Sequence, residues 1–391
     1  MWSTELRSNF MRLVLIIVAL VVLSGLVLVQ YNQVEGASNE ISANVQEANV
    51  EAYGSEGFAK ADKVVEFEFP ADHGPHPDFQ TEWWYYTGNL SDADGNRYGY
   101  QFTIFRRAIV PGEPERASEW ATRQIYFAHF TVTDATGETF EAHERFSRAA
   151  AGLAGAQGLP TYHVWLDDWE AREIESGQVR LQASDGDIGI DLILAQTKPA
   201  ALQGDHGLSA KSDEVGNASY YYSLTNNTTT GTITTPRGTF AVTGNTWMDR
   251  EWSTSILGKE AEGWDWFSLQ LDDNREVMFY FIRRQDGSFD PVSAGIIVNP
   301  DGSTDYLTLA DVEMTALDTW TSPHTEATYP AEWQFAVPQA GIDLHITPLL
   351  NDQELNVSFD YWEGAVQIEG SQSGYGYIEL TGYVGSMQGR M

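Results

Sequence analysis

Short apolar or aromatic runs alternate with turn-forming dipeptides from Val64 onward, and this pattern constrains the fold more than any other feature. In residues 99–105, Gly-Tyr-Gln-Phe-Thr-Ile-Phe, polar and apolar side chains alternate with a period of two, which indicates a strand. Dipeptides that favour tight turns separate such runs: Asp94-Gly95, Thr136-Gly137, Ser176-Gly177, Asp185-Gly186, Asp286-Gly287 and Asp301-Gly302. No amphipathic helical pattern competes with the strands, so we predict an all-β body, a sandwich or a barrel.

One hairpin-like stretch recurs later in the chain. The string Trp84-Tyr-Tyr-Thr-Gly-Asn-Leu90 leads through a polar turn and an aromatic strand to Arg106-Arg107. The string Trp264-Asp-Trp-Phe-Ser-Leu-Gln-Leu271 leads in the same way, at nearly the same spacing, to Arg283-Arg284. The likeness is either a chance similarity of hairpins or the trace of a duplication. A duplication predicts two related barrels in tandem, divided near residue 245.

The N-terminal segment has the features of a membrane signal. Two arginines precede an apolar run over residues 13–29, whose length lies between that of a signal-peptide core and that of a spanning helix. We favour an uncleaved anchor over cleavage after the weak site at Val34-Glu35-Gly36. Positive charge before the run places the rest of the chain outside the cytoplasm, in or beyond the cell envelope.

The expected organisation therefore has four parts. Residues 1–31 are the signal anchor or signal peptide, and residues 32–60 are an acidic linker. Two antiparallel β-barrels follow, over residues 60–245 and 246–391. The membrane is contacted through the N-terminal helix only.

The charge and the lack of cysteine exclude several classes of function. The chain has 56 acidic and 22 basic residues and a formal net charge of −34. Such a surface repels nucleic acid and anionic headgroups, so we expect no nucleic-acid partner. It is explained either by solubility or by adaptation to salt. The absence of cysteine excludes disulfides, cysteine nucleophiles and thiolate metal sites.

Carboxylates stand among aromatic residues in two clusters. The first runs from His73-Gly-Pro-His-Pro-Asp78 into Thr81-Glu-Trp-Trp-Tyr-Tyr86, and the second is Trp247-Met-Asp-Arg-Glu-Trp252. Burial beside aromatic rings raises the pKa of a carboxyl group and allows it to act as an acid near neutrality. On a strand, Asp249 and Glu251 share a face, and we name them as candidate catalytic acids. The alternative is that they form structural ion pairs with the arginines at positions 106, 250 and 283.

The histidines and the glycines give weaker signals. His73 and His76 lie in an irregular loop rich in proline and glycine, which favours a structural role over a metal site. His129 is either a core histidine or a group that faces a pocket. The sequence contains no Gly-x-Ser-x-Gly elbow, phosphate-binding glycine loop or dinucleotide fingerprint. We therefore expect neither a metal nor a cofactor.

Five strings together resemble the superfamily of AttH and carotenoid 1,2-hydratase (hydroxyneurosporene synthase), many members of which are labelled secreted hydrolases. They are Pro70-Ala-Asp-His-Gly-Pro-His-Pro-Asp78, Glu82-Trp-Trp-Tyr-Tyr-Thr-Gly88, Tyr126-Phe-Ala-His-Phe130, Arg145-Phe-Ser-Arg148 and Trp247-Met-Asp-Arg-Glu-Trp252. The resemblance extends from about residue 64 to residue 383. It implies two lipocalin-like barrels.

The hydratase branch implies chemistry on an alkene. Its members add water to an isolated double bond of a long isoprenoid without a cofactor, which requires an acid, aromatic faces and an activated water. Asp249 matches the acidic position of the second motif. Some hydratases carry a histidine and a tryptophan on an upstream strand, where this chain has Ser219-Tyr-Tyr-Tyr222. The AttH branch is named for a component encoded beside an ABC transport system.

Three hypotheses follow, in order of preference. The first is an envelope-tethered protein that binds an apolar small molecule, a lipid or isoprenoid, and is linked to the permease and ATPase of an ABC transporter. The second is a cofactor-independent hydratase or isomerase that uses Asp249 as its acid, and the third is a hydrolase. In each case we name the same expected ligand-binding residues: Trp83, Trp84, Tyr85, His129, Tyr222, Trp247, Trp252, Trp264 and Trp266.

Adaptation to salt makes a measurable prediction. The thermal midpoint should rise steeply between about 0.01 M and about 0.5 M salt, because the Debye length shrinks from about 30 Å to well under 10 Å and screens the repulsion between carboxylates. Thermal unfolding followed by circular dichroism at the two salt concentrations measures this. A flat response would leave solubility as the explanation of the charge.

Overall fold

The computed structural model describes residues 54–112, 118, 120–254, 257–258 and 260–387. The predicted anchor at residues 13–29 and most of the predicted linker lie outside these residues. No helix in the described ranges is long and apolar enough to cross a membrane.

Antiparallel strands form two sheets, one a nearly closed barrel and the other a half-barrel, which confirms the all-β prediction. The first sheet contains β1 (Thr81–Ser91), β2 (Arg97–Ala108), β3 (Gln124–Asp134), β4 (Thr139–Arg148), β5 (Ala154–Gln157), β6 (His163–Leu166), β7 (Trp169–Glu175), β8 (Gln178–Asp185), β9 (Ile188–Gln196), β10 (Ala201–Leu202), β11 (Leu208–Ala210), β12 (Ala218–Thr235) and β13 (Gly238–Ser253). The second contains β14 (Ala261–Leu271), β15 (Glu276–Arg284), β16 (Ala294–Val298), β17 (Thr304–Thr308), β18 (Glu313–Thr321), β19 (Thr328–Val337), β20 (Ile342–Pro348), β21 (Glu354–Leu355), β22 (Tyr361–Gly370) and β23 (Gly374–Leu380). Short 3-10 helices cover Ala71–His73, Leu309–Asp311 and Pro338–Ala340.

The two sheets share one topology. In each, the first two strands form a central hairpin, and the first strand also pairs with the last: β1 with β13, and β14 with β23. The repeated arginine pairs occupy the same end of the two hairpins, where Arg107 lies opposite Thr81 and Arg284 lies opposite Ala261. The recurring strings of the sequence therefore belong to corresponding hairpins.

The division between the halves differs from the expected one at residues 245 and 246. Strand β13 is continuous from Gly238 to Ser253 and pairs with β1 up to the contact of Ser253 with Thr81. The second sheet begins at Ala261. The Trp247–Trp252 motif therefore belongs to the last strand of the first sheet and not to the second sheet. Its backbone is hydrogen-bonded to β1 on one side and to β12 on the other, and both are strands of the first sheet.

The described residues form three apolar clusters: one inside each curved sheet and one, here called the interface cluster, between the sheets. Alternation along β1 explains how one strand serves two of them. Trp84 and Tyr86 point into the core of the first sheet, whereas Trp83 and Tyr85 point toward the second sheet. Strand β1 and residues 246–253 of β13 are consequently covered on both faces.

Polar contacts also join the two sheets. The ammonium of Lys198 lies 2.7 Å from Glu276, and both side chains are buried. Asn89 donates from Nδ2 to the carbonyl of Gly376 at 2.9 Å. A Cβ at Gly99 would lie only 2.6 Å from that of Ala365, so glycine is required for this approach of β2 to β22. The sheets therefore form one continuous body.

The Lys198–Glu276 pair provides a test of this interface. Lys198→Met should lower the free energy of unfolding by about 3–5 kcal/mol, because it leaves the Glu276 carboxylate buried without its cation. Urea unfolding measures the change. Adding Glu276→Gln should recover most of the loss.

The control is the exposed pair of Arg180 with Asp191. Arg180→Met should cost less than about 1 kcal/mol, because water screens an exposed pair. A Lys198→Met loss as small as that of the control would mean that the interface does not depend on the buried pair.

Candidate active site between the two sheets

A cavity of about 140 Å³ lies between the two sheets at one end of the interface cluster. Both halves of the chain contribute to its walls, which combine aromatic rings with carboxyl groups. The aromatic residues are Trp83, Tyr85, Phe105, Tyr221, Trp264, Trp266, Tyr280, Phe359 and Tyr361. The charged or ionisable residues besides these tyrosines are Lys211, Asp249, Glu251, Glu363 and Glu379.

Asp249 lies at the centre of the wall formed by the first sheet. In the strand register it stands between Tyr85 of β1 and Ser223 of β12. Three donors converge on its carboxyl group: the Tyr221 hydroxyl at 2.6 Å, the Ser223 hydroxyl at 2.5 Å and Nε1 of Trp247 at 2.7 Å. Only 3% of Asp249 is exposed. Burial raises the pKa of Asp249 to about 7 although the three donors favour its ionised form.

Glu251 shares the face of Asp249 but has a different environment. Its carboxylate lies 2.8 Å from the ammonium of Lys211, which also lies 4.9 Å from the ring of Tyr280 and 5.4 Å from that of Tyr221. Burial disfavours the charged form of Lys211, but the adjacent Glu251 raises its pKa above the usual value. Lys211 is the only lysine or arginine among the described residues that line the cavity, and Glu251 is its counter-ion.

The second sheet adds a pair of glutamates that the sequence analysis did not identify. Glu363 of β22 and Glu379 of β23 lie directly opposite each other in the register, and both line the cavity. Burial raises the pKa of both, and the charge of Glu363 raises that of Glu379 further. Two adjacent carboxyls cannot both ionise easily, so the pair retains a proton. Only the pairing of β22 with β23 brings the two residues together.

Four of the predicted ligand-binding residues line the cavity: Trp83, Tyr85, Trp264 and Trp266. Trp247 lies behind this wall, where it donates to Asp249 and packs edge-on against Trp266 at 6.2 Å. The Trp266 indole in turn donates to the hydroxyl of Tyr221 at 3.2 Å. The indoles thus hold Asp249 and Tyr221 in position as well as forming the apolar wall.

Trp84, Tyr222 and Trp252 do not reach the cavity, contrary to expectation. They lie on the opposite faces of their strands, in the core of the first sheet. The hydroxyl of Tyr222 lies 2.6 Å from Nδ1 of His73, and the ring of His76 stacks on Trp252 at 3.7 Å. Strand alternation explains the difference, because neighbouring residues of one motif point to opposite sides of the sheet.

The first acidic cluster is structural. Glu82 is fully buried and forms ion pairs with Arg106 and Arg250. Burial disfavours its ionised form, but the two guanidinium groups hold its pKa below the usual range. Burial and Arg250 together lower the pKa of His73 to about 4, so this histidine is neutral. The described residues contain no group of three or more His, Asp or Glu side chains that could hold a metal ion.

The structure separates the two acids of the second motif from the arginines that were considered as their partners. Arg106 and Arg250 pair with Glu82, and Arg283 pairs with Asp265 at 2.8 Å. Among the described residues, no lysine, arginine or histidine forms an ion pair with Asp249.

His129 lies behind the cavity rather than in it. It is fully buried, and its two ring nitrogens contact the hydroxyl of Tyr361 at 2.8 Å and the carboxylate of Glu144 at 3.0 Å. Tyr361 is part of the cavity wall. His129 therefore contacts a cavity residue and does not itself line the cavity.

The family model of AttH-like proteins matches residues 60–383. The chain belongs to the AttH-like family. Among solved structures, this AttH-like protein is similar to an AttH from Nitrosomonas europaea, with 35% identity, a TM-score of 0.75, and coverage of 83% of this chain and 100% of that one. The resemblance seen in the sequence is thereby confirmed. A comparison with curated proteins gives no match.

Two more distant structures share the fold. Kievitone hydratase from Nectria haematococca has 15% identity and a TM-score of 0.61, with coverage of 86% of this chain and 98% of that one. CghA with Sch210972 has 13% identity and a TM-score of 0.51, with coverage of 85% and 98%. At these identities, the likeness to the AttH-like protein is one of architecture.

Asp249→Asn should change how stability depends on pH. The unfolded chain releases the Asp249 proton near the ordinary pKa of 3.8, whereas the folded protein keeps it up to about 7. The stability contributed by this proton is therefore complete below about pH 4, falls as pH rises to about 7, and is constant above it. The free energy of unfolding of the wild type, relative to the variant, should fall by about 4 kcal/mol over that window.

Urea unfolding at intervals between pH 4 and pH 8 measures this difference. Asp301→Asn is the control, because Asp301 is an exposed turn residue whose pKa is lowered and which does not titrate in the window. A constant difference between wild type and Asp249→Asn would show that Asp249 is ionised throughout.

Proposed function

We propose that this protein is an acid catalyst for an apolar substrate that carries a carbon–carbon double bond, a hydratase or isomerase in which Asp249 is the proton donor. The supporting observation is the buried carboxyl group of Asp249, which is balanced between its two protonation states near neutrality and faces a cavity with aromatic walls. General acids work best when their pKa lies near the operating pH. The proposal requires no metal and no organic cofactor.

The proposed reaction uses the acid and the aromatic walls in turn. Asp249 transfers its proton to one alkene carbon, and the neighbouring carbon becomes a carbocation. The faces of Trp83, Trp264 and Trp266 stabilise this cation, and so does the new Asp249 carboxylate. In hydration, a water molecule adds to the cation and returns a proton to Asp249. In isomerisation, a proton leaves the substrate carbon instead, which also restores the acid.

The charges of the cavity favour an uncharged substrate. Asp249, Glu251, Glu363 and Glu379 outnumber Lys211, whose charge is already used by Glu251. An anionic ligand would have to approach these carboxyl groups without a free cation to bind it. The fold shared with kievitone hydratase, whose name denotes a hydration, is consistent with this class of reaction.

A binding protein for an apolar molecule is the second candidate, favoured by the aromatic lining of the cavity. Such a protein gains nothing from buried carboxyl groups, which are costly to desolvate. A hydrolase is the least supported function, because no histidine is among the described residues that line the cavity and could activate a serine there.

The cellular setting is a further part of the proposal. We propose that the folded body lies outside the cytoplasm, held by residues 13–29, and that it acts together with an ABC transport system. The arginines that precede the apolar run support the orientation. The transporter link rests on the resemblance to the AttH branch.

Isotope incorporation tests the enzymatic proposal. Ligand is extracted from the purified protein, identified by mass spectrometry, and incubated with fresh protein in water labelled with heavy oxygen. A hydratase should yield labelled alcohol, and an isomerase should yield a product of unchanged mass. Asp249→Asn should reduce turnover at least about 100-fold with little change in ligand affinity, since the amide keeps the shape and cannot donate an acidic proton. Unchanged ligand in every sample would contradict catalysis and support binding alone.

The pH profile offers a finer test of Asp249. Turnover should fall as pH rises past about 7, because only the protonated form donates. Ser223→Ala removes a donor that favours the ionised form, so the alkaline limb should move up by roughly one pH unit. Ser268→Ala, a buried serine away from Asp249, should leave the limb in place. If Ser223→Ala leaves the alkaline limb of the pH profile unchanged, the titration belongs to a group other than Asp249.

A further inference from the structure

A chain of polar groups crosses from the first sheet to the second behind the aromatic wall of the cavity. Glu144 of β4 contacts Nε2 of His129 at 3.0 Å, and Nδ1 of His129 contacts the hydroxyl of Tyr361 at 2.8 Å. Tyr361 lies two residues from Glu363 on β22, on the same face, and its hydroxyl lies beside the Glu363 carboxyl. The chain thus ends at the glutamate pair.

The two ends of this chain differ in their contact with water. The Glu144 side chain is 14% exposed, and the Ser358 hydroxyl donates to it at 2.6 Å. His129 is fully buried, with the rings of Phe105 at 5.4 Å and Phe359 at 5.1 Å around it. At the far end, Oε1 of Glu363 is buried and makes no hydrogen bond of ordinary geometry within the described residues.

We propose that Glu144, His129 and Tyr361 form a proton path from solvent to the Glu363–Glu379 pair, which makes this pair the second proton-exchanging group of the cavity. The use of the pair in turnover rests on the proposed function, whereas the path itself does not. An apolar substrate that fills the cavity displaces its water, so a route through the opposite wall keeps the pair in contact with solvent protons.

The transfer is balanced in protons. Glu144 takes a proton from water and passes it to Nε2 of His129, Nδ1 releases its proton to the Tyr361 oxygen, and the Tyr361 hydroxyl gives its own to the Glu363 carboxylate. Tyr361 ends as it began, and His129 has changed tautomer. A proton that returns outward restores the first tautomer. The same groups can therefore carry protons in both directions between solvent and the pair.

Proton exchange can be measured without turnover, with a short alkane such as hexane filling the cavity so that water does not reach the pair through it. The infrared carbonyl band of a protonated Glu363 is identified by its loss in Glu363→Gln, and its shift after rapid transfer of the full-length protein into heavy water gives the exchange rate. His129→Gln preserves a polar side chain of similar reach but cannot take up and release a proton at two ring nitrogens. We expect this variant to slow the exchange at least tenfold.

Tyr361→Phe interrupts the same path at the next residue and should slow exchange similarly, which covers the case in which one of the two variants folds poorly. His163→Gln is the matched control, since His163 also contacts a glutamate, Glu170 at 2.8 Å, but belongs to β6 and to no chain of contacts that leads to the cavity. Exchange that is equally fast in wild type, His129→Gln and Tyr361→Phe would overturn the path. That result would leave the role of Asp249 unaffected, because no turnover is measured.

Discussion

Burial on both faces of β1 and of residues 246–253 of β13 is the constraint on which the rest of the structure depends. A sheet that curves around its own core has one covered face, and these two strands have a second because another sheet packs against them. Side chains of one short motif therefore have two destinations. Along β13, Arg250 turns inward to Glu82, while Asp249 turns toward the cavity. The cavity exists because the second sheet covers the outer face of β1 and β13, which would otherwise be exposed to solvent.

Two buried carboxyl groups of the first sheet have pKa values shifted in opposite directions. Glu82 is neutralised by two guanidinium groups, which keep it ionised and make it a fixed part of the core. Asp249 receives hydrogen bonds but forms no ion pair with a cation of the described residues, so burial dominates and its proton is retained to about pH 7. Both residues are buried, so the presence of arginine decides which carboxyl is held ionised and which keeps its proton to near neutrality.

The sequence predicted the all-β fold because alternation and turn dipeptides are local features, and strand parity placed Asp249 and Glu251 on one face. The same alternation explains why the prediction that Trp84 and Trp252 bind ligand was wrong. All the aromatic residues of each motif were assigned to the ligand site, although neighbouring side chains of a strand point to opposite faces. Glu363 and Glu379 could not be found, since they become partners only through the pairing of β22 with β23. The division near residue 245 was wrong for a similar reason, because a strand's partners decide the sheet to which it belongs.

Pairing of the first strand of each sheet with the last has a consequence for the order of events during synthesis. Strand β14 is made long before β23, so the centre of the second sheet waits for residues 374–380. Contacts of such sequence separation form slowly. Glu379 belongs to that last strand, so one member of the Glu363–Glu379 pair is absent from the cavity until β23 pairs with β14. A nascent chain can thus complete the ion pairs of Glu82 while the cavity remains unassembled, and the proposed acid chemistry begins only in the finished protein.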